Sequence, residues 1–175
     1  LKDDDYPLSP DVDAAYKDAG RLVFEIAPQD MRSPATLMLA IKYGMYHDPN
    51  RRLQDDLSAS TWEKLVAYGA KNDITQAELQ KLKPWLMSQK MLLTEAMRLG
   101  MTPDKGLDEH FMSLAMTDHK PTLGLETTEF QLGIFDKMPL KMQQDMLKQS
   151  LDEVANFKKD IDEEHDTWRH GDATR

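Results

Sequence analysis

Apolar residues recur at helical spacing through most of the chain and cluster at strand-like density in only two places. The run "RLVFEIA" offers Leu22, Val23, Phe24 and Ile26 as a short buried strand closed by Pro28, and "PTLGLE" offers a second ending at Glu126. Before the first, "SPDVDAAYKDAG" predicts a helix. Ser9 can cap it, Pro10 suits its first turn, Asp11 and Asp13 favour its positive end, and Gly20 closes it. From Ser33 to Gly100 the pattern is helical throughout. Ser33 before Pro34 opens a segment through Leu37, Leu39, Ile41 and Tyr46, which "HDPNRR" breaks. Ser60 with Glu63, and Thr75 with Glu78, have the spacing of capping boxes and predict two further starts. Pro84 ends one helix or sits in the first turn of the next, which carries Trp85, Leu86, Met91, Leu92 and Met97 as core positions and stops at Gly100. A helix over about 107–116 precedes the second strand. The last element is the longest: Leu140, Leu147, Leu151, Val154, Phe157, Ile161 and Trp168 form one stripe, predicting a single helix over about 139–168 with an acidic, solvated opposite face.

By class this is α/β, mainly α in these residues: a helical insertion with two or more short strands belonging to an incomplete α/β core. Two strands do not make a stable sheet unaided. The 175 residues fit one domain, 1–175, with a real core. The formal charge of −9, from 22 Lys and Arg against 31 Asp and Glu, repels phosphate backbones and argues against nucleic acid as a partner. Cysteine is absent, which removes disulfides and thiolate metal sites. No apolar run reaches the roughly 20 residues that a transmembrane helix needs, so no transmembrane segment is expected. The chain starts at Leu1 without Met, which leads us to expect that an N-terminal piece precedes it.

Candidate chemistry is sparse. Asp162 and His165 share a helix face three residues apart, but a helical di-metal site needs a second such pair, so a solvated helix is the expectation. His110 is expected to pack beside Phe111, and His47, His119 and His170 fall in loops or near the end. Met38, Met87, Met91, Met97, Met112 and Met116 read as core filling. There is no Gly-rich phosphate loop, G-x-S-x-G or H-E-x-x-H. Glu25 and Glu126 stand out because each lies at or near the end of a strand, where open α/β sheets carry site residues. On spacing alone Glu126 either caps the following helix or serves a site, and Glu25 either forms an ion pair or serves one.

The run "GLDEHFMSLAMTDHKPTLGLETTEFQLGIFDKMP" resembles the central signature of the TraB/GumN group, which is related to the pheromone-shutdown proteins and the Tiki metalloproteases. The opening "LKDDDYPLSPDVDAAYKDAGRLVFEIAP", "KPWL" at 83–86 and "WRHGD" at 168–172 resemble the same pattern, so the likeness covers nearly the whole chain. The resemblance implies an α/β core with a helical insertion. It also implies a divalent-metal-dependent peptidase using Mn²⁺, Co²⁺ or Zn²⁺, built on two G-x-x-H motifs and on glutamates that fall here on Glu25 and Glu126, as metal ligands or catalytic groups. A peptide or protein substrate follows from the same likeness, as does an exported bacterial protein, periplasmic or membrane-anchored. No G-x-x-H occurs in these residues. The two motifs are expected before Leu1 and beyond Arg175, and the chain alone is expected to be inactive. The alternative expectation is a non-enzymatic helical binding or self-association module, a homo-oligomer held by the long apolar stripe and the unpaired strands.

Overall fold

A computed structural model describes residues 5–31 and 33–171. The first helix, α1 (Pro10–Asp18), leads into β1 (Leu22–Ile26) and the short α2 (Pro28–Met31). Helix α3 (Pro34–Gly44), a 3-10 turn (Leu53–Asp56), α4 (Ala59–Lys71), α5 (Gln76–Leu79) and α6 (Pro84–Arg98) follow. Then come α7 (Leu107–Thr117), β2 (Thr122–Glu126), α8 (Thr128–Lys137), α9 (Leu140–Glu153) and α10 (Phe157–His170). Both expected strands form. They pair with each other in parallel, Leu22 opposite Thr122, Phe24 opposite Gly124 and Ile26 opposite Glu126.

The local signals mostly act as their chemistry requires. Ser33 Oγ accepts from Ala35 N at 3.2 Å, and Thr75 and Glu78 form the reciprocal capping box. Pro84 occupies the first turn of α6, and Gly100, with φ of 81°, lies just beyond its end. At α4 the cap is Ser58 rather than Ser60: Ser58 takes the extended conformation that frees its hydroxyl to accept from Thr61 N at 3.1 Å.

The core is helical and lies away from the strands. Leu53, Trp62, Leu65, Tyr68, Leu79, Met87, Met91 and Leu147 form it, drawn from the 3-10 turn and from α4, α5, α6 and α9. Where α6 meets α9, the Ser88 and Ser150 hydroxyls bond at 2.6 Å, so the polar groups buried there are satisfied. Of the six methionines expected inside, Met87, Met91 and Met112 are buried, whereas Met38, Met97 and Met116 are exposed. The reason is visible on α6. Its buried stripe runs through Met87, Ser88, Met91 and Glu95, and Leu92 and Met97 fall off that face.

The expected single helix over about 139–168 is two helices. A turn at 154–156 separates α9 from α10, and Asn156 N donates to Glu153 O at 2.9 Å, an i to i−3 bond that tightens the last turn of α9. The two halves of the stripe then serve different partners. Leu147 is fully buried, with Leu151 and Val154 packed on the core, while α10 turns toward the start of the chain. There His165 Nε2 meets the buried Asp5 carboxylate at 2.7 Å and Arg169 Nε approaches it at 3.3 Å. His165 thus binds Asp5, and Asp162 pairs with Lys158 instead. Asp172 of the "WRHGD" run lies outside the described residues.

Lys120 and Gly124 set the sheet in place. The Lys120 ammonium donates to Tyr16 O at 2.5 Å, Ala19 O at 2.8 Å and Lys17 O at 3.2 Å, closing the end of α1. It also lies 4.4 Å from the Tyr16 ring centroid. Gly124 lets the chain leaving β1 cross close over β2, because a Cβ built there would sit 2.5 Å from Ala27 N and 3.1 Å from Ala27 Cβ. Gly124→Ala is therefore expected to destabilise the fold by about 1–3 kcal/mol through overpacking. Gly133→Ala, on α8 with nothing within 4 Å of the added carbon, is expected to stabilise it by roughly 0.5–1 kcal/mol. Urea unfolding of both variants checks the pair of signs.

Candidate functional site

The carboxyl ends of β1 and β2 bring Glu25 and Glu126 to the same end of the sheet. Strand alternation sends them to opposite faces. Glu126, paired with Ile26, shares the face of Phe24 and Gly124; Glu25 shares the face of Val23, Leu123 and Leu125. Both glutamates are exposed.

Glu126 is not the cap of α8. Thr127 takes that place, its Oγ1 accepting from Phe130 N at 3.1 Å. Among the described residues the Glu126 carboxylate has no hydrogen-bond or ion-pair partner. Among the described residues Glu25 does not form the alternative ion pair either. Its Oε2 accepts from Gln131 Nε2 of α8 at 3.3 Å, a bond that ties β1 to the helix following β2.

Helix α8 is held from both sides, and so positions both glutamates. At its start Glu129 Oε1 accepts from Tyr43 Oη at 2.7 Å and from Lys42 Nζ at 2.9 Å, both on α3. The Tyr43 and Lys42 hydrogen bonds hold the Glu129 carboxyl below its ordinary value. At its far end Phe135 stacks on the buried Trp85, centroids 5.4 Å apart, and Asp136 pairs with Lys83. Sequence reasoning did not pick out Lys42, Tyr43, Glu129 or Gln131. Their only local signal was the first-turn acid of α8, and their partners are distant in the chain.

The donors present do not by themselves fit a divalent cation. No group of three or more His, Asp or Glu side chains converges among the described residues, and two carboxylates on opposite faces do not supply the three or four ligands such an ion takes. His47, His110 and His165 have other contacts, and the His170 side chain lies outside what the structure describes. His110 packs between Tyr6 and Phe111, with ring centroids 4.9 and 5.1 Å away, and His47 Nε2 lies 2.6 Å from Lys42 O. His119 ends α7 in the left-handed region, with φ of 55°.

The TraB/PrgY/gumN family profile matches residues 1–175. The chain belongs to the TraB/PrgY/gumN family. No curated protein and no solved structure matches it. The fold is mainly helical with one parallel strand pair, and no helix among the described residues is long and apolar enough to cross a membrane. In this TraB/PrgY/gumN chain the acid-lowered Glu129 gives a direct check on the α3–α8 clamp. A glutamate whose pKa is depressed on folding adds stability above its unfolded range and loses it as the pH falls through the folded value. Tyr43→Phe removes the larger cause, so the Glu129 titration midpoint, followed by carbon-detected NMR, is expected to move up toward the ordinary glutamate value.

Proposed function

We propose that the chain forms the carboxylate-bearing part of a hydrolytic site that cleaves peptide bonds, in an exported protein. The supporting observation is that Glu126 ends β2 with an exposed carboxylate that caps nothing and pairs with nothing among the described residues, while the neighbouring threonine does the capping. A carboxylate left in that state is available to accept a proton from an attacking water. Glu25, oriented by Gln131 from the other face, is the second candidate. A divalent cation, Mn²⁺, Co²⁺ or Zn²⁺, belongs to this reading only with further ligands, because these carboxylates do not chelate one alone. The 175-residue chain is accordingly expected to show no melting-temperature shift with any of the three ions. A longer chain carrying the flanking sequence is expected to cleave peptides with metal present and to lose about 10²–10⁴-fold in rate on Glu126→Ala. Cleavage unchanged by that substitution would sink the proposal.

A second reading, self-association, is favoured by the outer face of the strand pair. Parallel sheets are almost always covered on both faces, yet Val23 is 53%, Leu123 49% and Leu125 74% exposed. The other motive for this reading, the apolar stripe of the C-terminal region, is weaker now that Leu147, Leu151 and Val154 are taken up by the core. Light scattering decides it. A concentration-dependent dimer that Leu125→Lys abolishes is the outcome this reading requires, and a monomer at all concentrations overturns it.

A further inference from the structure

The entrance of α6, the end of α8 and the segment after α3 border an open cavity of about 210 Å³, and none of its lining residues lies on a strand. The charges in its wall cancel. Arg51 Nη2 lies 3.2 Å from both oxygens of Asp56, and Lys83 pairs with Asp136, so two cations meet two carboxylates one to one. A ligand with a net charge of either sign meets repulsion as well as attraction there.

What the wall leaves unpaired is hydrogen-bonding capacity of both kinds. Gln143 lines the cavity yet is only 5% exposed, and two carbonyls orient its amide: Nε2 donates to Met138 O at 3.0 Å and reaches Asp136 O at 3.5 Å. The amide oxygen is thereby turned away from both, and Oε1 has no donor among the described residues. Asp136 offers a second acceptor, since Lys83 takes Oδ1 and no described group takes Oδ2. Beside them, Lys83 has given Asp136 one of the three N–H groups that an ammonium carries. Burial and the hydrogen bond to Asp56 push the Tyr46 phenol up, so it stays protonated, donates to Asp56 at 2.5 Å and keeps its own lone pairs to offer. A buried acceptor without a donor is costly, and Gln143 marks a place for one. A hydroxyl gives one hydrogen bond and accepts two, so a molecule carrying several of them matches free donors and free acceptors together without breaking either ion pair.

We propose that this cavity is a binding site for a small neutral polyol of monosaccharide size, whose hydroxyls donate to Gln143 Oε1 and Asp136 Oδ2 and accept from Lys83 Nζ, and whose C–H side lies against Pro84, Met138 and Leu140. The site is separate from the strand-end carboxylates and does not rest on their hydrolytic role. The test is a ¹H–¹⁵N NMR titration of the whole chain with D-glucose and with myo-inositol, and with alanine and acetate as charged comparisons at matched ionic strength. At least one of the two polyols is expected to shift the amides around Tyr46, Lys83 and Gln143 saturably, with millimolar affinity, while alanine and acetate leave them in place. Asp136→Asn keeps the shape of a side chain that is 26% exposed and puts a donor where the free acceptor stood, so it is expected to fold and to weaken the polyol by about tenfold. Gln143→Met keeps the length and removes the oxygen, and is expected to weaken it by a similar factor. Should Gln143→Met not fold, Asp136→Asn decides alone. Lys71→Gln on α4 serves as the control and is expected to change nothing. Absence of a saturable shift with both polyols, equal binding by Asp136→Asn, or an equal response to alanine or acetate each overturns the proposal.

Discussion

One ammonium group holds the two distant parts of the fold in register. Lys120 stands immediately before β2, yet its hydrogen bonds go to the carbonyls that end α1, immediately before β1. Those carbonyls have no intrahelical partner and carry the negative end of the helix dipole, so a cation is their natural complement. Once Lys120 is seated, Leu22 N reaches Pro121 O at 2.9 Å and the first rung of the parallel ladder is made. Tyr16 reinforces the joint, its hydroxyl donating to Asp118 at 2.7 Å and its ring stacking on Phe111. Without such an anchor, a two-stranded parallel sheet between segments so far apart in sequence would have little to offset its loop-closure entropy.

The rest of the molecule is arranged around what that sheet leaves undone. The hydrophobic core sits among the 3-10 turn, α4, α5, α6 and α9, and among the described residues no strand residue belongs to it or is counted as packed on it. Helix α8 ties the strands to the helices. It follows directly on Glu126, reaches back to Glu25 through Gln131, and is gripped by α3 at one end and by Trp85 and Lys83 at the other. The candidate carboxylates therefore stand beside a helix tied at both ends while remaining open to solvent. That combination suits groups used in chemistry, which need fixed positions more than burial.

The local elements were legible because their signals are local. Pro10, Ser33 with Pro34, Thr75 with Glu78 and Pro84 each act within one turn of the chain, and each starts a helix as expected. The two strands were equally clear, since short apolar runs closed by Pro28 and by a helix start leave few alternatives. Expectations failed where one sequence pattern admits two outcomes. An apolar stripe from Leu140 to Trp168 is compatible with one helix or two; the chain breaks at 154–156, and α10 beyond it carries His165 to Asp5. Methionine identity could not say which of Met91 and Met97 faces inward; the pairing of α6 with α9 does.

For the site, the sequence by itself determined that Glu25 and Glu126 lie at strand ends, because the apolar runs are short and their polar closures are fixed by residue type. The need for glycine two residues before Glu126 came from the tertiary structure, since only a residue without Cβ admits Ala27 so closely. Only the tertiary structure decided that the two carboxylates face opposite sides of the sheet. Strand alternation makes each side chain's direction depend on the register between partners, and register is set by long-range contacts such as that of Lys120.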